Sequence, residues 1–159
     1  MSFSICFTGE PDQYLGDDPN VPYAMGRIVA GELDEDFTST LYEWGKRDYE
    51  AQWLRSVERI VAGDMKVTLI TQYVNPAESS NLEWWALYRG DHDLVYVQNH
   101  LRFYDQFGGD FSVVDANKFL QERITANQEG NRISEWEVPL TDIKLFLDRI
   151  KQQKLDTSS

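Results

Sequence analysis

The stretch LEWWALY at residues 82–88, followed by RGDHD at 89–93 and LVYVQN at 94–99, decides the fold. Two runs rich in aromatic and β-branched residues flank five turn-forming ones, the pattern of a β-hairpin. The second run continues toward Tyr104, and Gly108-Gly109 closes the β region. Adjacent Trp84 and Trp85 must point to opposite faces of their strand. One is therefore expected in the core, and the other either beneath a helix or exposed as a contact.

On the N-terminal side, residues 66–73 also alternate with period two, placing Val67, Leu69, Thr71 and Tyr73 on one side until Asn75-Pro76 breaks the run. Residues 46–62 change to a helical period. Tyr49, Trp53, Val57 and Ile60 fall on one face, and Gly63 supplies a stop. Residues 2–7 read as a first strand and 8–22 as a loop rich in Gly, Pro and Asp. Strand material at 27–31 and 32–41 is interrupted by Glu32, Asp34, Glu35 and Asp36, a cluster expected in or beside a turn after Gly31.

On the C-terminal side, Ser112 is a helix N-cap with Asp115 near the positive helix end. That helix is expected to reach about Arg123 and to bury Phe119 and Leu120. A polar loop at 125–131 leads to a strand at 132–138, broken by Pro139. Thr141 then caps a last helix with Ile143, Phe146, Leu147 and Ile150 inward, and a disordered tail is expected from about residue 152. The fold class is α+β: a mostly antiparallel twisted β-sheet or β-sandwich with about three flanking helices, in a single domain spanning 1–159.

The 159 residues are enough to bury a core without disulfides or metals, and 42% are hydrophobic. Twenty-seven acids against fifteen bases leave a net charge of −12. Such a field repels phosphate backbones and anionic membranes and attracts a basic protein. Residues 1–40 hold eight acids against the single base Arg27, and residues 64–111 hold seven against three. The segments 41–63 and 112–159 are close to balanced, so the excess lies outside the expected helices and fits an interface better than general solubility.

Catalytic apparatus is hard to find. His92 and His100 form no ligand-spaced pair, and the lone Cys6 cannot complete a zinc site; it reads as a structural thiol. Asp34-x-Asp36-x-Thr38 begins like a calcium loop, but Ser39 stands where Gly is needed and Gly45 where a bidentate Glu is needed. Neither a Gly-rich phosphate loop nor a nucleophile elbow is present, and Arg89-Gly90-Asp91 is turn chemistry. The expectation is a binding protein, not an enzyme, with no cofactor and no metal. Its partners should include no nucleic acid, no membrane and no small-molecule substrate. The N-terminus shows no basic segment leading a long apolar stretch, so a cytoplasmic location is expected.

Several stretches carry a family resemblance. They are Tyr42-Glu43-Trp44 with Lys46, Asp48-Tyr49 and Trp53; Trp85-Ala86-Leu87-Tyr88; and Val95-Tyr96-Val97-Gln98-Asn99. Asn117-Lys118-Phe119 with Arg123, and Gly130 leading to Ile133-Ser134-Glu135-Trp136, complete the set. In this order, over roughly residues 40–147, they resemble immunity proteins of bacterial contact-dependent growth inhibition systems (CdiI), of the enterobacterial type paired with a ribosomal RNA nuclease toxin. The resemblance implies a cytoplasmic antitoxin that binds the C-terminal toxin domain of a CdiA-type exoprotein and blocks it. It also implies a β-rich sandwich with flanking helices.

A nuclease must present positive charge to RNA, so acids are the expected contacts. The candidate toxin-binding residues are Asp34, Glu35 and Asp36, the hairpin acids Asp91 and Asp93, and also Glu83 and Asp105. An acidic adaptor with an unrelated partner fits the same composition, and genomic position beside a toxin gene distinguishes the two.

Overall fold

The N-terminal alternation builds one sheet and the Trp84–Trp85 hairpin another, in a computed structural model that describes residues 2–9, 13–14 and 21–158. The first sheet contains β1 (Phe3–Phe7), β2 (Gln13–Tyr14), β3 (Pro22–Ala30) and β4 (Leu33–Thr40), all antiparallel to β3. Part of the expected loop at 8–22 is thus strand, because Gln13 and Tyr14 pair with Tyr23 and Pro22. The rest of that expectation, residues 10–12 and 15–20, lies outside the described residues. Gly31, at φ +64, and Glu32 form the β3–β4 turn. Asp34, Glu35 and Asp36 do not interrupt the strand as expected but lie within β4. Charges are tolerated there because they point from an edge strand into solvent.

The second sheet has the order β5-β6-β7-β8, comprising β5 (Lys66–Gln72), β6 (Asn81–Arg89), β7 (Leu94–Phe103) and β8 (Trp136–Pro139). The expected hairpin is β6–β7, whose turn places His92 and Asp93 at positive φ, 60° and 57°. Both tryptophans are buried: Trp84 lies near the Phe107 ring, and Trp85 on the other face near Trp136. Neither is an exposed contact.

The helix α1 (Lys46–Ala62) buries Tyr49, Trp53, Val57 and Ile60, and Gly63 ends it with its N–H on the Arg59 and Ile60 carbonyls. This helix also caps an edge. Gln52 Oε1 accepts the Ile70 N–H at 2.8 Å, Gln52 Nε2 donates to the Thr68 carbonyl at 3.0 Å, and Trp53 Nε1 donates to the Ile70 carbonyl at 2.6 Å. Asn117 Oδ1 accepts the Thr68 N–H at 2.7 Å. Backbone groups that would otherwise offer a pairing template are therefore satisfied by side chains.

Three expectations in the C-terminal third are corrected. The helix from Ser112 is a 3-10 segment, Val113–Phe119, that stops short of Arg123, and Ser112 makes no side-chain cap bond. Asn117 is committed to β5, and the Arg123 guanidinium lies 3.7 Å from the Tyr96 ring centre while gripping both Glu135 oxygens. These ties draw the chain out of a helical path. Leu120 is buried as expected, whereas Phe119 is half-buried. The strand at 132–138 shrinks to β8 because its first residues are held elsewhere: Arg132 bridges to Ala126, the Ile133 N–H donates to the Thr125 carbonyl at 2.9 Å, and Glu135 is bound by Arg123 and Gln98. Finally, α2 (Leu140–Ser158) begins one residue before Thr141, which is a helical residue and not a cap. It continues through the stretch read as the start of a tail. Its Ile143, Phe146 and Leu147 join Phe3, Ile5, Ile28, Val57, Leu87 and Val97 in one core.

Candidate binding surface at the junction of the sheets

The two sheets meet where β4 ends beside β5. Ser39 Oγ, fully buried, donates to the Thr71 carbonyl at 2.6 Å, and the Thr40 N–H donates to Gln72 Oε1 at 2.8 Å. Gln72 Nε2 returns a bond to Thr40 Oγ1. The β5–β6 register shifts between Ile70 and Gln72, a bulge that ends regular pairing at this corner.

Beside the corner lies a pocket of about 460 Å³. Glu35, Asp36 and Phe37 of β4 line it on one side, Thr71 and Gln72 at the joint, and Asn81, Glu83, Trp85 and Asn99 on the other. Gly26 is what lets Phe37 lie there: a Cβ at Gly26 would stand 2.3 Å from the Phe37 ring. Phe37 in turn packs edge-on to Trp53 of α1. The wall is thus fixed to the core although its acids face solvent.

Of the expected contact residues, the structure brings Glu35, Asp36 and Glu83 into this one pocket. None of the three has an ion-pair partner among the described residues, and no metal-holding group of His, Cys, Asp and Glu forms among them. Asp34 differs. Arg27 holds it through Nε and Nη2 at 2.7 and 2.6 Å, and that bidentate bond lowers the Asp34 pKa and raises that of Arg27. Asp91 and Asp93 sit at the exposed β6–β7 tip. Six residues of strand separate Glu83 from Arg89, roughly 20 Å. Asp105 is exposed in the 3-10 segment Tyr104–Phe107, just past the end of β7.

Sequence reasoning weighed one of the two tryptophans as a contact but did not single out Leu101 or Phe103. Trp85 is only 3% exposed, and its indole N–H finds no acceptor among the described residues. Leu101 and Phe103 stand directly across from Glu83 and Asn81 in the β6–β7 register and are 50% and 42% exposed. The signal was available in the strand parity of 99–103, but it requires knowing which face of the hairpin is covered.

The other titratable groups read as structural. His100 accepts the Trp84 Nε1–H on Nδ1 at 3.2 Å, which leaves Nε2 to donate to Gln98 Oε1 at 2.9 Å. Burial, aided by Arg102, lowers its pKa to about 4. Cys6 is exposed and not a core thiol, because its strand parity is opposite to that of Phe3 and Ile5. It borders a cleft between β1, α1 and α2 lined by Trp53, Leu54, Phe146 and Ile150, where no set of unpaired acids converges. No helix among the described residues is long and apolar enough to cross a membrane.

The family model of the CdiI N-terminal domain matches residues 39–146. The chain belongs to the CdiI family. It is 31% identical over 146 residues to the immunity protein CdiI of Enterobacter cloacae, covering 92% of this chain and 94% of that relative. It also superposes on a chain of the solved CdiA-CT/CdiI toxin and immunity complex from Enterobacter cloacae with a TM-score of 0.81 at 29% identity, covering 94% of this chain and 99% of the other. Within this CdiI chain, the family match begins at Ser39, the residue that ties β4 to β5. Glu83, Trp85, Leu101 and Phe103 fall inside it, and Asp34, Glu35 and Asp36 just before it.

Proposed function

We propose that this CdiI chain is an immunity protein that binds the C-terminal toxin domain of a CdiA-type exoprotein in the cytoplasm and neutralises it. The acidic pocket at the sheet junction is its main contact, and the target is a nuclease. The observation that carries this reading is the convergence of Glu35, Asp36 and Glu83, from two sheets, into one concave site with no ion pair to any of them among the described residues. A nuclease surface built to hold a phosphate backbone supplies such cations. Asp91 and Asp93 at the hairpin tip, together with Asp105, extend the negative field that steers the encounter. Occupying a phosphate-binding surface is sufficient for inhibition, so no catalytic group is required.

The test is co-purification with the toxin domain encoded directly upstream of this gene, followed by an RNA-protection assay. A stoichiometric complex that leaves RNA intact is the expected result. A toxin domain that fails to bind, or binds and still cleaves, overturns the reading.

A further inference from the structure

The end of β7 is patterned backwards. Arg102 is buried, at 8% exposure, while its apolar neighbours Leu101 and Phe103 point out. Because side chains alternate strictly along a strand, a register slip of one residue would exchange them, burying two apolar groups and freeing one charge. The chain keeps the costlier arrangement and compensates Arg102 locally. Its Nε donates to Gln106 Oε1 at 3.1 Å, and its guanidinium lies 4.7 Å from the Phe107 ring centre and 5.7 Å from that of Trp84.

Leu101 and Phe103 are therefore displayed beside the acidic pocket, since cross-strand partners Glu83 and Asn81 both line it. Interfaces commonly place such apolar anchors at a desolvated centre with charges around them. Resting on the reading above, we propose that Leu101 and Phe103 are the apolar anchors of the toxin contact. The occupant is a segment of the toxin domain that carries a Lys or Arg beside an apolar side chain. The acids steer the cation in and stay paired with it in the complex, while Leu101 and Phe103 bury the apolar neighbour and act on dissociation alone.

The experiment measures association and dissociation rates of the full chain with the upstream-encoded toxin domain at low and high salt. Leu101→Ser and Phe103→Ser, made singly, should each raise the dissociation rate about tenfold with the salt dependence of association unchanged. Glu35→Gln with Glu83→Gln should slow association and flatten its salt dependence. Leu145→Ser and Leu155→Ser, at still more exposed apolar positions of α2 (60% and 65%), should leave both rates as they are. Dissociation within about twofold of the parent for both β7 variants overturns this inference while leaving the immunity reading standing. A parent chain that does not bind overturns that reading instead.

Discussion

Arg27 is the only base among the first forty residues, and it is spent on Asp34. Its cross-strand partner is Asp36, but both guanidinium contacts go diagonally to Asp34. Releasing that pair should change association more than stability, because both side chains are 52% exposed and such pairs hold folds weakly. Arg27→Gln should therefore speed toxin association a few-fold at low salt, whereas Asp34→Asn, which leaves Arg27 to neutralise Asp36 across the strands, should slow it. Stopped-flow rates at low and high ionic strength check both. His100 makes a prediction of the opposite kind. Its pKa is about 4 in the folded protein against an ordinary 6.5, so between those values the unfolded chain takes up a proton that the folded one refuses. Stability should be level above pH 6.5 and fall as pH drops toward 4. In urea titrations across this range, His100→Asn should flatten the slope, since Trp84 Nε1 then no longer faces a titrating acceptor. An unchanged slope assigns the acid sensitivity elsewhere.

At the scale of elements, the edge of β5 depends on α1 and not on another strand. Gln52→Leu keeps the helix and roughly the volume but strands the Ile70 N–H and the Thr68 carbonyl. It should cost about 1–3 kcal/mol, read as a lowered urea midpoint. Toxin affinity should be unchanged, because Gln52 does not line the junction pocket. This edge also shows what the sequence could and could not reveal. The α1 face of Tyr49, Trp53, Val57 and Ile60 was legible because burial follows the helical period. The β6–β7 hairpin was legible because alternation and turn residues agree. The segment after Ser112 carries a good capping residue but is governed by distant partners, Thr68 for Asn117 and Tyr96 for Arg123. Local propensity therefore suggested a regular helix where tertiary hydrogen bonds leave two short 3-10 turns kinked at Asp115. The same holds for Arg102 and its neighbours, whose composition conceals which side of β7 is covered.

At the scale of the whole molecule, acids distant in sequence come together because the end of β4 in one sheet lies beside β5 of the other. Glu35 and Glu83 share a pocket through the Ser39–Thr71 and Thr40–Gln72 bonds, so the sequence could mark both as candidates without pairing them. Asp91 and Asp93, equally acidic, end up at the far tip of the hairpin. This separation gives a comparison in which overall charge and local contact make different predictions. Glu35→Gln, Asp36→Asn and Glu83→Gln together remove three of the twelve net negative charges, and Asp91→Asn with Asp93→Asn removes two. At low salt both sets should slow association, because steering sums the field of the whole surface. Near 1 M salt the screening length falls to about 3 Å, and only charges in direct contact still matter. The hairpin variant should then bind like the parent. The pocket variant should remain weakened, with faster dissociation, because truncating one side of a desolvated charge pair leaves the partner's cation unpaired. Equal recovery of both variants at high salt would mean that the pocket acids only steer, and that the toxin rests on another face of the molecule.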